Sequence, residues 1–328
     1  MHALVQNFPN QLEDALARFS QVDFWALLQK SYSSIVCAGL GGSGIAASLM
    51  QSLCMKFSPI PYVITKSYEL PVCTGPSSLF LACSHSGNTE ETIEATKEAY
   101  TSGATIIVIT SWGWMMEFAK EKNLFLIQLP DAMMPRACYT YAVVAQLMLL
   151  KQMGFFHGVD SDISESIRLI TTQEMELKAQ AQQIAKDFFG KIPVLYSDDL
   201  FAPVAMRFRQ QLNENSKILC RNAILPEMNH NEILGRKDDY LQCLPLFLRH
   251  SYEHPRTSYR VELSKEIIFP NVETIMEVSG IGTSLLQEMV TMTYILDRVS
   301  VYLADLREID PMEIGTINFL KGKLAERR

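Results

Sequence analysis

Short apolar runs alternate with stretches of helical spacing along the first half of the chain. Residues 34–40, 61–65, 79–83, 105–110 and 123–129 read as strands, and the segments between them carry apolar residues every three or four positions or turn residues. Runs that are apolar throughout belong to strands covered on both faces, which predicts a parallel sheet flanked by helices. Ahead of them, 12–30 has helical spacing and predicts a leading helix. Gly154, Gly158 and Asp160 then punctuate the chain, which sets a boundary between an N-terminal unit, 1–153, and a C-terminal unit, 154–328.

Beyond that boundary, 162–186 predicts one long polar helix. A second alternation follows, with strands over 192–197, 241–248 and 272–279 and helices over 201–213, 256–267 and 283–303. The tail, 310–328, predicts a final helix with Pro311 in its first turn. Two similar α/β units in tandem are expected, with no residue-level repeat between them.

A length of 328 residues exceeds the size at which one core stops growing, in keeping with two units. The formal charge of −7 argues against broad binding to nucleic acid or an anionic membrane, both of which need a concentrated field of Lys and Arg. A small anion held by local backbone donors stays compatible with it. The cysteines at 37, 54, 73, 83, 138, 220 and 243 are odd in number and form no C-x-x-C pair, as expected of reduced thiols in the cytoplasm. The first residues show no basic stretch followed by an apolar one, and 142–150 is too short an apolar run to cross a bilayer. A cytoplasmic protein with no membrane partner is expected.

Two motifs carry chemistry. The first, Gly39-Leu40-Gly41-Gly42-Ser43-Gly44, follows a predicted strand and opens a predicted helix, where glycines let backbone approach an anion and the helix N-terminus favours negative charge. It also fits G-x-G-x-x-G, but a dinucleotide site needs an acidic residue at the end of the second strand, and Thr65-Lys66-Ser67 stands there with Glu69 beyond it. Phosphate binding, a dinucleotide and a merely tight turn are the three readings. The second motif is Ser84-His85-Ser86-Gly87-Asn88-Thr89-Glu90-Glu91-Thr92. An N-cap with two acidic residues in the first turn would account for Ser86 or Thr89. A cap needs one hydroxyl, however, and three around a glycine suit a tetrahedral oxyanion. Two such loops at successive strand ends converge on one crevice.

Together these motifs resemble the sugar isomerase (SIS) domain family, whose members bind phosphosugars on a flavodoxin-like sheet. Pro135-Arg136, Asn213-Glu214-Asn215-Ser216-Lys217 and Pro226-Glu227-Met228-Asn229-His230-Asn231-Glu232 extend the likeness over nearly the whole chain, to the bifunctional phosphoglucose/phosphomannose isomerase family. The resemblance implies interconversion of glucose 6-phosphate, with mannose 6-phosphate as a second aldose, and fructose 6-phosphate, without metal or cofactor. The phosphate is expected on Gly41, Gly42, Ser43, Ser84, Ser86 and Thr89. Two positions depart from the family pattern: Arg236 follows Gly235 where the family has tryptophan, and Ala137-Cys138-Tyr139-Thr140 is less apolar. Both bear on substrate preference.

The isomerisation moves a proton between C1 and C2 through an enediol, so a positioned carboxylate is the natural base. Glu214 ends a predicted helix between Asn213 and Asn215, whose amides are expected to orient it. By spacing alone it would pass for a solvated helix-end glutamate, and the resemblance implies that it is the base. His230 lies in a turn-prone segment where an imidazole could move protons near neutral pH, or serve as a cap or interface residue. The resemblance implies ring opening by His230 at the site of a neighbouring subunit, hence a homodimer. Arg136 could stabilise enediolate charge with its fixed positive fork. Lys321 matches the family's C-terminal lysine and otherwise reads as an exposed helix charge.

Other readings are weighed against this one. A phosphosugar-binding regulatory protein would keep the two loops without needing Glu214, His230 and Lys321. A third reading is an SIS isomerase of an amino-sugar phosphate. An amidotransferase would need a nucleophilic cysteine near its N-terminus, and 1–30 has none. The string His250-Ser251-Tyr252-Glu253-His254 fits a zinc-protease pattern, but Pro255 disfavours the continuous helix that zinc would need. The pairs Met115-Met116 and Met133-Met134 read as core packing or loop anchors.

Overall fold

The apolar runs of the first half form a five-stranded parallel sheet in the order β2-β1-β3-β4-β5. Its strands are β1 (Ser34–Ala38), β2 (Tyr62–Thr65), β3 (Ser78–Cys83), β4 (Thr105–Thr110) and β5 (Phe125–Gln128). The computed structural model describes residues 1–131, 134–235, 242–268, 270 and 272–326. Val36 stands opposite both Val63 and Phe80, and every residue of β1 and β3 is buried, so these central strands contain no alternating polar face. The helices of this half are α1 (His2–Gln6), α2 (Phe8–Phe19), α3 (Trp25–Leu28), α4 (Gly41–Phe57), α5 (Glu90–Thr101), α6 (Trp114–Glu121) and α7 (Tyr139–Gln152).

The second half begins with α8 (Val159–Thr172) and α9 (Glu174–Phe188). A second parallel sheet follows, in the order β7-β6-β8-β9, from β6 (Ile192–Asp198), β7 (Arg221–Leu225), β8 (Cys243–Arg249) and β9 (Met276–Ser279). Around it lie α10 (Ala202–Asn215), α11 (Pro255–Ile268), α12 (Leu285–Leu306) and α13 (Gly315–Ala325). The architecture is two parallel sheets flanked by helices, as the alternation predicts. The helices between the sheets share one core, in which Leu12, Leu49, Leu147, Leu177, Phe208 and Leu296 are all buried. Met115 and Met116 are buried in the first half. Among the described residues no helix is long and apolar enough to cross a membrane.

Four elements differ from the sequence expectation. The leading helix starts earlier, at Phe8 with Pro9 in its first turn, and stops at Phe19; Asp23 then accepts the Trp25 N–H at 2.8 Å and starts the short α3. The single helix over 162–186 is two helices broken at Gln173. There Tyr294 donates to Glu174 at 2.6 Å and Arg298 also donates to it, turning α9 onto α12. β7 has no apolar run because it is an edge strand with one sheet neighbour, β6, and its first four residues are partly or fully exposed. The tail helix begins only at Gly315, because the Pro311 and Glu313 carbonyls accept side-chain donors from elsewhere in the fold. Arg236, Met133 and the first residue of the strand expected over 241–248 lie outside the described residues.

Candidate active site

Both anion motifs sit at the carboxyl ends of neighbouring strands, β1 and β3. The first loop passes from β1 into α4, whose first-turn N–H groups, around Gly41, Gly42 and Ser43, have no acceptor within their own helix. The second loop links β3 to α5, with Thr89 at the N-cap. In it the Ser84 and Thr89 hydroxyls are 2.8 Å apart, close enough for one tetrahedral oxyanion to meet both. Ser86 Oγ accepts the Asn88 N–H at 3.3 Å, and Asn88 Oδ1 accepts the Trp114 N–H at 3.0 Å, which ties the loop to the next helix. Gly87 is obligatory here. Its φ is +63°, and a Cβ would fall 1.8 Å from the Trp112 carbonyl oxygen.

Residues 134–138 wedge between the two loops. A Cβ on Gly42 would stand 3.0 Å from the Pro135 carbonyl, so any larger residue would crowd this approach and push the segment back by a few tenths of an ångström. On the other side Cys138 Sγ lies 3.0 Å from His85 Nε2, which also contacts the Pro130 carbonyl at 3.2 Å. Burial holds the His85 pKa below its ordinary value and pushes the Cys138 thiol to about 12, so both are neutral groups that pack the loops together.

From this wedge Arg136 reaches across to the second half. Its side chain is 6% exposed; Nε donates to Asn215 Oδ1 at 2.9 Å, Nη2 to the Pro311 carbonyl at 2.5 Å, and Nη1 to Glu214 Oε2 at 3.4 Å. Burial lowers the guanidinium pKa, while Glu214 and Asp310 favour its charge. Glu214, on the last turn of α10, is 31% exposed. Neither neighbouring amide touches it. Successive helical residues point about 100° apart, so Asn215 instead bridges Arg136 and Ser300 Oγ, and Asn213 donates to the Ile218 carbonyl at 2.6 Å.

Beneath Arg136 lies a buried pair that the sequence does not announce. Arg207 Nε donates to Asp297 Oδ1 at 3.0 Å and Nη2 to Oδ2 at 2.5 Å, while Nη2 also reaches the Arg136 carbonyl at 3.3 Å. The guanidinium lies over the Tyr139 ring, 3.9 Å from its centroid. Burial raises the Asp297 pKa, and Arg207 opposes it. Only a long polar spacing on α10 hints at Arg207, and nothing local marks Asp297 as its partner.

The structure thus brings the phosphate-loop residues, Arg136 and Glu214 to one place. It does not bring His230 or Lys321 to Glu214. His230 ends a short 3-10 turn, Glu227–His230, with its ring exposed, and Lys321 is exposed on α13, which buries none of its residues. His250 is held by Asp198 at 2.9 Å and stacks on Phe201, and His254 accepts the Arg256 N–H at 3.1 Å, so that pair serves a turn rather than one helix face.

The SIS domain family matches residues 27–154, and the bacterial phospho-glucose isomerase C-terminal SIS domain family matches 177–324. The bifunctional phosphoglucose/phosphomannose isomerase of Caldicellulosiruptor bescii is 31% identical over 99% of this chain and 99% of its own. The chain belongs to the bifunctional phosphoglucose/phosphomannose isomerase family. Within the same range of similarity, the D-glucosamine-6-phosphate 4-epimerase of Sulfolobus acidocaldarius is 30% identical over 89% of this chain and 92% of its own. The C-terminal domain of the glucosamine-fructose-6-phosphate aminotransferase from Francisella tularensis shares the fold, with TM-score 0.76, 16% identity and coverage of 94% of this chain and 97% of that one. Family membership agrees with the two SIS-type units expected from the motifs.

Proposed function

We propose that this isomerase-family chain interconverts glucose 6-phosphate and fructose 6-phosphate, with mannose 6-phosphate as a second aldose substrate, by proton transfer through an enediol. One observation carries the reading: Arg136 bonds to Glu214 while the backbone beside it packs on Gly42 of the phosphate loop. A carboxylate and a cation therefore adjoin the segment that packs on the proposed anion cradle. The 6-phosphate is received by Gly41, Gly42, Ser43, Ser84, Ser86 and Thr89. Glu214 takes the proton from C2 of the aldose and returns it to C1 of the ketose, and Arg136 stabilises the enediolate oxygen.

The exposed His230 and Lys321 are assigned to a homodimer in which His230 from a second copy opens the sugar ring. The division at 153/154 and a cytoplasmic location belong to the same reading.

A coupled assay tests the activity: glucose 6-phosphate should appear from fructose 6-phosphate. An inert response, with turnover of an amino-sugar phosphate instead, would move the chain to the chemistry named for its epimerase relative. Substrate binding without any turnover would make it a phosphosugar-binding regulator.

The dimer has its own test. Inactive Glu214→Gln and inactive His230→Ala proteins should regain activity on subunit exchange, because one of the mixed sites combines an intact Glu214 with an intact His230. Failure to complement in mixed dimers shown by mass spectrometry would put His230 outside the neighbouring site.

A further inference from the structure

Lys217 occupies a costly backbone position. It follows the C-cap of α10 with φ +54°, in the left-handed region where glycine would be unstrained. A strained non-glycine residue persists when the surrounding structure holds it, and such positions cluster at functional sites. The contacts of the ammonium show what holds this one. Nζ donates to the Glu214 carbonyl, the main chain of the proposed base, and to the Glu313 carbonyl at 2.8 Å. Arg136 donates to the Pro311 carbonyl two residues earlier in the same segment. Two cations that touch Glu214 therefore also grip residues 310–313, which lead into α13 and Lys321.

We propose that Lys217 is a positioning residue that clamps this C-terminal strap onto the end of α10, keeping Glu214 and Arg136 aligned for proton transfer. The proposal rests on the reading of Glu214 as base. The groups facing the Lys217 ammonium are Arg136, Glu214, Asp310 and Glu313. Burial and the neighbouring guanidinium lower its pKa, while the three carboxylates oppose this. Lys217 and Arg136 grip the strap by its backbone carbonyls, while its own Asp310 carboxylate accepts the Met312 N–H at 2.8 Å. A charged amine bonded to two carbonyls supplies a tie that glycine at this position could not.

Substitution separates the clamp from a mere helix cap. Lys217→Gly removes the amine and relieves the backbone strain, so the fold is kept; Lys217→Met removes the amine alone; Lys217→Arg keeps a donor. Misplacement of a catalytic group by about 1 Å can cost about 10²-fold in rate. Both Lys217→Gly and Lys217→Met are therefore expected to lower kcat by about 10-fold to 10²-fold with KM within about threefold of the parent, while Lys217→Arg retains most of the activity. In a Glu214→Gln background, Lys217→Gly should cause a markedly smaller fractional loss, because much of what the clamp aligns is that carboxylate. Parent-like kcat in Lys217→Gly would overturn the proposal, as would the same fractional loss with and without Glu214. If Glu214→Gln itself kept its turnover, the base assignment would fall and the clamp with it. A loss in Glu214→Gln beside an unaffected Lys217→Gly would sink the clamp alone.

Discussion

Replacing Glu214 by glutamine is expected to lower kcat for fructose 6-phosphate isomerisation by about 10²–10⁴-fold, the usual contribution of a positioned general base. The amide has nearly the shape of the carboxylate, and its oxygen can still accept the hydrogen bond that Arg136 Nη1 makes at 3.4 Å, so the local fold has no cause to change. What is lost is the ability to take a proton from carbon. KM should move far less, because the proposed phosphate site is the pair of loops after β1 and β3, in the other half of the chain. Reaction of the parent enzyme in heavy water should place deuterium at C2 of the aldose product. Near-parent turnover in Glu214→Gln would remove the carboxylate from the mechanism. Quantitative transfer of hydrogen from C1 to C2 without solvent label would restrict it to a fully shielded shuttle.

Asp297→Ala is expected to be the most destabilising single change near the site. It leaves the Arg207 guanidinium, 5% exposed, without either of its carboxylate bonds. Removing one partner of a buried ion pair costs about 3–5 kcal/mol, a large share of the roughly 5–15 kcal/mol that holds a domain folded. Urea denaturation read by circular dichroism checks this: the midpoint should fall sharply in Asp297→Ala. It should recover in the double variant Arg207→Met, Asp297→Leu, in which neither charge of this pair is left buried without the other. That double variant should still have lowered kcat, because Arg207 also donates to the Arg136 carbonyl and backs the segment that aims Arg136 at Glu214. Full activity together with recovered stability would show that the pair holds the fold and plays no part in aligning the site.

The strand runs 105–110 and 79–83 were legible because a central parallel strand buries both faces, so its apolar run is a local property of the chain. β7 was not, since Arg221-Asn222-Ala223-Ile224-Leu225 lies at an edge where one neighbour and partial exposure suffice. The same contrast runs through the site. Glycines and hydroxyls at the ends of β1 and β3 are legible as a candidate anion cradle because backbone approach and helix-end donors are settled within a few residues. The likeness to known isomerases then marked Arg136 and Glu214, but neither local pattern nor likeness revealed what holds them.

By itself the sequence determined the alternating α/β plan and the two glycine- and hydroxyl-bearing loops at the ends of β1 and β3. Local sterics, periodicity and hydrogen-bonding capacity decide those, and all are written over spans of a few residues. Only the tertiary structure decided that Arg136 meets Glu214 across 78 intervening steps of chain, and that Asn215 serves Arg136 rather than Glu214. It likewise decided that Arg207 finds Asp297 and that Lys217 grips the strap at Glu313. Buried charges take whichever partner the packed helices bring within reach, and that partner is set by how α10, α12 and the residues before α13 converge, a property of the assembled core that no stretch of sequence carries alone.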